Sequence, residues 1–274
     1  MLTLRGDPAL LAAFATRDDA RDEGEDSAEA AAAAACAAAD ARLVLGSGLT
    51  LVFQSIKDVE EGDDILANPQ NERIALFQGQ SSEFTKDERA YAHMIHVEVM
   101  QLAPLEGLTT GPVLYKGNTN FGLFWAPVRR ARRPGAGYVF VHVPASVAQV
   151  TAFHTFYAKL CDARTRCDPT LTSLALMGCV TPSIRTMTCS ESIVLALREA
   201  NISLLEPRLA HTGGLLPAKL ITPSRLYTCL MRLVIVDRAH VLLDDPLRVG
   251  RAVLPHYLRP VSYTHLTLPT TPYV

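Results

Sequence analysis

The chain has no apolar run approaching the roughly 20 residues that a membrane-spanning helix needs, because charges or prolines interrupt every hydrophobic stretch first. It also has little surplus of charge. Twenty-six basic residues against 28 acidic ones leave a formal charge of −2, which gives no overall pull towards nucleic acid or an anionic membrane. The six cysteines, at positions 36, 161, 167, 179, 189 and 229, form no CxxC pair and no regular ladder, so neither a zinc ribbon nor a disulfide framework is indicated. The same spacing disfavours a zinc site built from Cys161, Cys167, Cys179 and a histidine. No secretory leader is expected either: the apolar run Ala9 to Ala15 follows Asp7 and precedes Arg17, Asp18 and Asp19, where a basic start and a small-residue cleavage site belong. These absences predict a cytoplasmic chain with no transmembrane segment, whose thiols are mostly reduced and buried.

What is present is 49% hydrophobic and 20% charged, enough for a real core in one domain with extensions or in two small ones. Residues 1–41 read as an extension, disordered or loosely helical: Arg17 to Asp26 is nearly all charge and Ala28 to Ala41 nearly all alanine, with Ser27 as a helix cap. At the other end, Val261-Ser-Tyr-Thr-His-Leu-Thr-Leu-Pro-Thr270 resembles the translation of a transposase adapter used in sequencing libraries. Residues 261–274 are accordingly set apart as a non-native tail, and a single domain is expected over 42–260, truncated at its C-terminal side.

Within that domain, Gly62-Asp63-Asp64-Ile65-Leu66 reads as a turn feeding a short strand, and Ile74 to Phe77 as another apolar stretch. The clearest strand is His93-Met-Ile-His-Val-Glu-Val-Met100. Its period of two puts His93, Ile95, Val97 and Val99 on one face and Met94, His96, Glu98 and Met100 on the other. Further strands are expected at Gly111 to Tyr115, Phe121 to Trp125 and Tyr138 to Val143, with Arg129 to Gly137 as a basic hairpin loop. That loop lacks interleaved aromatics, so no nucleic-acid partner is expected. Ser146 caps a helix carrying Val147, Val150, Phe153, Tyr157 and Leu160 at helical spacing, with His154 and Cys161 at the core's edge, and Leu233 to Val236 reads as a closing strand.

The most informative segment is Thr188-Cys-Ser-Glu-Ser-Ile-Val-Leu-Ala-Leu-Arg-Glu-Ala-Asn201. Thr188 with Glu191 three residues on is a capping-box pattern, which makes Cys189 the first helical residue. Ile193, Val194, Leu197 and Ala200 form its apolar stripe, and Asn201 is its C-terminal cap. A thiol in that position faces unpaired N–H groups and the positive end of the helix dipole, both of which favour thiolate, while Glu191 opposes them. The same N–H groups suit an oxyanion formed when sulfur attacks a carbonyl.

In order along the chain, Gly62-Asp63-Asp-Ile-Leu, Tyr91-Ala-His93-Met, Leu105-Glu106-Gly, Thr188-Cys189-Ser-Glu and Thr222-Pro-Ser-Arg-Leu-Tyr227 resemble the circularly permuted NlpC/P60 family of papain-like thiol enzymes, in particular its YiiX-like branch. The resemblance covers roughly Asp58 to Tyr227 and implies an α+β fold, with an antiparallel sheet or partial barrel packed against the helix that bears the nucleophile. It also implies Cys189 as nucleophile, His93 as general base and acid, and Glu106 as the group orienting the imidazole, with Glu98 or Gln101 able to serve instead. His96 rivals His93, and the face argument favours His93 because its side of the strand is the apolar one. The longer segment from Cys167 to Met187 departs from the family pattern. The implied activity is a cysteine-dependent hydrolase or acyltransferase acting on an amide, ester or thioester of a small molecule, lipid or peptide through an acyl-enzyme, with no metal or organic cofactor. The alternative is a noncatalytic binding or structural module that keeps the fold.

Overall fold

In a computed structural model of the chain, which describes residues 47–59, 69–118, 121–128, 136–168, 186–208, 213–242 and 245–249, the longest strand is β1 (Gly48–Val59). It is central because both of its faces are apolar. Leu49, Leu51 and Phe53 point into the main core, and Val52 serves a second, smaller cluster on the opposite face. A strand apolar on both faces belongs in the interior of a sheet, and β1 has β2 (Met94–Gln101) on one side and β5 (Ala136–Pro144) on the other, both antiparallel. Beyond β2 come β3 (Val113–Asn118) and β4 (Gly122–Pro127), and beyond β5 comes the short β8 (His240–Leu242). The sheet therefore runs β4-β3-β2-β1-β5-β8 with every neighbouring pair antiparallel.

Among the described residues, two helices precede β2: α1 (Pro69–Gln80), which contains the stretch Ile74 to Phe77, and α2 (Lys86–Ala90). Three more, α3 (Val147–Asp162), α4 (Cys189–Glu199) and α5 (Pro223–Ile235), lie on the main-core face of the sheet. Phe153 and Tyr157 of α3, Ile193, Val194 and Leu197 of α4, and Leu226 and Leu230 of α5 are buried there against Val97, Val99, Tyr115, Val141 and Val143 of the strands. The far face carries Met100, Leu102, Phe140 and Leu242, with Leu247 from the short α6 (Pro246–Val249). The architecture is α+β with an open antiparallel sheet.

Two expectations are corrected. Leu233 to Val236 is the end of α5 and its cap, not a strand. Its β-branched run invites an extended reading, but Thr222 accepts a hydrogen bond from the Arg225 N–H and Pro223 occupies the first turn, so a helix starts here and its apolar stripe carries through Leu233. The closing strand is β8. The connection containing Arg129 to Gly137 is not a hairpin either, because β4 and β5 are separated in the sheet by β3, β2 and β1. Consecutive strands are commonly neighbours, and here they are not. The expected strand at Gly62 to Leu66, the extension 1–41 and the tail 261–274 lie outside the described residues.

Candidate active site

The site begins with the cap of α4. The Thr188 Oγ1 accepts from the Glu191 N–H at 3.0 Å, and the Glu191 carboxylate accepts from the Thr188 N–H at 3.3 Å, so the capping box is closed and Cys189 is the first residue of the helix. At the other end Asn201 adopts a left-handed φ of 52°, and the Ile202 N–H reaches back to the Leu197 carbonyl at 2.9 Å. With its stripe buried and both ends closed, α4 holds Cys189 at a fixed point.

That point lies beside a break in the sheet. The β2–β3 ladder runs from Gln101↔Val113 to Val99↔Tyr115, while β3 continues along β4 through Lys116, Gly117 and Asn118. The backbone of β2 before Val99 is therefore free to bond something other than β3. The backbone N–H groups of Val97 and Ser190 act on the Cys189 sulfur and favour its thiolate. From the β3 side, Gly117 makes the approach possible: a Cβ there would stand 3.4 Å from the Cys189 Cα and 2.8 Å from the Cys167 Sγ. Cys189 keeps only 6% of its surface exposed.

The imidazole that meets this sulfur belongs to His96. The two groups act on each other's charge, and the His96 Nε2 lies 3.5 Å from Oε1 of Glu98, a separation that makes an ion pair rather than a short hydrogen bond. Glu98 is two residues on and so shares a strand face with His96; its side chain is 3% exposed, and the same Oε1 receives the Lys116 Nζ at 2.7 Å. Lys116 would have faced Glu98 had the ladder continued one step past Val99↔Tyr115. Instead their side chains bridge the opening. The order is sulfur, imidazole, carboxylate, ammonium.

Electrostatics follows from that order. Burial by itself would lower the basicity of His96, but the charge and hydrogen bond of Cys189, with those of Glu98, outweigh it and push its pKa up to about 9. For Cys189, burial acts to raise the thiol, and the charge and hydrogen bond of His96, with the two N–H groups, outweigh burial and bring it below its ordinary value. Both shifts favour a thiolate–imidazolium pair. Glu191, in the same turn as the sulfur, is lifted above the usual carboxylate value by burial, which weakens its opposition.

The groups that lower the Cys189 thiol are His96, Val97 and Ser190, and neither His93 nor Glu106 is among them. His93 precedes β2; its carbonyl accepts from the Ile56 N–H at 3.0 Å and its ring centroid is 6.4 Å from that of Tyr91. The face argument fails because it assumes that all of α4 lies flat on the apolar face. The stripe from Ile193 to Leu197 does so, but the first residue reaches the open margin of β2, where a side chain of the opposite face is accessible to it. Glu106 is exposed in the turn after Leu105, and Gln101 is committed to the Tyr115 hydroxyl at 2.5 Å, to Thr109 and to the Ala103 carbonyl. Glu98, named beforehand as a substitute, is the carboxylate beside the imidazole. The signal that could have found the pair was His96 and Glu98 at i and i+2 on one strand.

Other candidates fall away from this site. His154 is buried in α3 with its Nδ1 2.9 Å from the Tyr115 hydroxyl, and Cys161 is pushed up to about 12 by burial, then by the charge of Asp162. Cys179 lies outside the described residues, and among those described no three His, Cys, Asp or Glu side chains converge as a metal site. No helix among the described residues is long and apolar enough to cross a membrane. Comparison of the chain with protein-family models, with curated proteins and with solved structures gives no match.

Proposed function

We propose that the chain is a cysteine-dependent hydrolase or acyltransferase of the permuted papain-like kind, with Cys189 as nucleophile, His96 as general base and acid, and Glu98 as the residue that orients the imidazole. One observation carries the reading: a helix-starting thiol and an imidazole in contact, each shifted towards its charged form, with a buried carboxylate behind the ring. The histidine precedes the cysteine in the chain, as the permuted order requires. The Cys189 thiolate attacks the carbonyl of an amide, ester or thioester, and the electron pair of the carbonyl moves onto oxygen. On collapse the leaving group takes a proton from the His96 imidazolium and departs, leaving an acyl-thioester on Cys189. Neutral His96 then removes a proton from water or another acceptor, whose attack releases the acyl group. The substrate is an acylated small molecule, lipid or peptide.

The burial of Cys189 favours a second reading, a noncatalytic module in which the thiol and imidazole are packed rather than used. Incubation with a panel of activated acyl esters and thioesters, followed by intact-mass and peptide analysis, separates the two. An acyl adduct on Cys189 that is absent from Cys189→Ala and His96→Ala but kept in His93→Ala is the expected result. An adduct formed equally in Cys189→Ala, or none with any donor, leaves the module.

A further inference from the structure

A second thiol stands against the proposed nucleophile. Cys167 ends the short strand β6 (Arg166–Cys167), which pairs in parallel with β7 (Thr186–Met187) in the register Cys167↔Met187, and the Asp168 N–H donates to the Met187 carbonyl at 2.9 Å. Cys189 is two residues past Met187. Gly117 gauges how near the two cysteines are: the point where its Cβ would lie is 2.8 Å from the Cys167 Sγ and 3.4 Å from the Cys189 Cα. The Cys167 sulfur is therefore within about 6 Å of the Cys189 Cα, which makes the two side chains neighbours. Both are free thiols, and the glycine leaves between them no side chain that a bond would have to displace.

We propose that Cys167 is a resolving thiol, and that hydrogen peroxide converts Cys167 and Cys189 into a disulfide that reversibly silences Cys189. The Cys189 thiolate attacks one peroxide oxygen and the O–O bond breaks. The departing hydroxide takes the His96 proton and leaves as water, so Cys189 becomes a sulfenic acid. The Cys167 sulfur then attacks the Cys189 sulfur, the S–O bond breaks, and the Cys167 proton leaves with the hydroxide as a second water. Two thiols lose two electrons in total, and one peroxide becomes two waters.

The order of events is built into the site. Burial first, and then the negative charge on Cys189, keep Cys167 protonated while Cys189 is a thiolate. A sulfenic acid is neutral, so the second restraint goes once Cys189 has been oxidised. Cys189 reacts first because its thiol is set below the ordinary range. Beside the sulfur, the His96 side chain keeps 20% of its surface exposed.

The effect on turnover rests on the reading of Cys189 as nucleophile, but formation of the bond does not. The full chain is treated with equimolar hydrogen peroxide, capped with N-ethylmaleimide and digested without reductant. A peptide linking Cys167 to Cys189 is expected, with maleimide labelling of Cys189 lost and then restored to its untreated level by dithiothreitol. In Cys167→Ser and Cys167→Ala the sulfenic acid persists and is trapped by dimedone, several-fold above the wild-type level. Absence of the linked peptide from the wild-type digest, or equal dimedone trapping in all three proteins, overturns the proposal. A linked peptide in a chain that never forms an acyl adduct would instead overturn only the hydrolase reading.

Discussion

A thiolate persists in a nearly closed site only if a positive charge is held beside it, and at Cys189 that charge is the imidazolium of His96. Removing it leaves burial unopposed. In His96→Ala, alkylation of Cys189 by iodoacetamide at pH 7 should fall tenfold or more, since about one unit of pKa is tenfold in thiolate, while His93→Ala should label like the wild type. Equal losses in the two variants would remove His96 from the role. The pH dependence has two limbs of known sign. Acyl transfer declines on the acid side as the thiolate is protonated, below the ordinary thiol range, and on the alkaline side as His96 loses its proton near about 9 and no longer has one for the leaving group. Glu98 and Lys116 tune the second limb in opposite directions because they share one carboxylate oxygen. Glu98→Gln should move it down by roughly one unit, and Lys116→Met, which takes the ammonium away from that oxygen, should move it up. A limb that stays in place in both variants would show that the carboxylate and the ammonium do not act on the ring.

At the scale of elements, the local signals were strong where a helix or strand specifies itself. The capping box at Thr188 and Glu191 and the Ser146 cap of α3 lie where the sequence predicts them, and β3 to β5 overlap the predicted strands, with β3 starting and ending later than expected. If α4 is fixed by its cap, Thr188→Ala should cost about 1 kcal/mol in urea unfolding and also slow Cys189 labelling at neutral pH, because the first turn frays where the sulfur is held. Loss of stability without a change in labelling would uncouple cap from site. Pairing was harder to read, because local sequence does not state which strands are neighbours. The central strand β1 went unnamed although Leu49 to Phe53 alternates, and the Arg129 to Gly137 connection looked like a hairpin because β4 and β5 are consecutive. The identity of the base was hidden for a related reason. Whether a cysteine meets the inner or the outer face of β2 depends on where the β2–β3 ladder stops, which is a property of two strands and not of one.

For the molecule as a whole, the position of β2 matters because it brings His96 to a cysteine far along the chain, and the start of β2 is tied through Gln78 to a helix that lies far along the chain as well. The buried Gln78 side chain donates to the Ala92 and Met94 carbonyls at 2.9 and 2.8 Å and accepts from the Ser224 N–H at 3.1 Å, so one amide ties α1, the start of β2 and α5 together. Arg225, also buried, makes a second tie: its Nε lies 3.2 Å from Glu88 Oε1, its other nitrogens donate to the Leu220 and Glu83 carbonyls, and its guanidinium stands 4.3 Å from the centre of the Phe84 ring. A buried ion pair of this kind is costly to break from one side, since the remaining charge stays desolvated. Arg225→Ala should therefore lower the free energy of unfolding by about 3 to 5 kcal/mol. Arg225→Met combined with Glu88→Leu should lose less than the two single substitutions added together, by roughly 0.5 to 3 kcal/mol in a urea double-mutant cycle. Strict additivity would mean that the two side chains act separately, leaving the Gln78 amide as the link between α5 and the strand that carries His96.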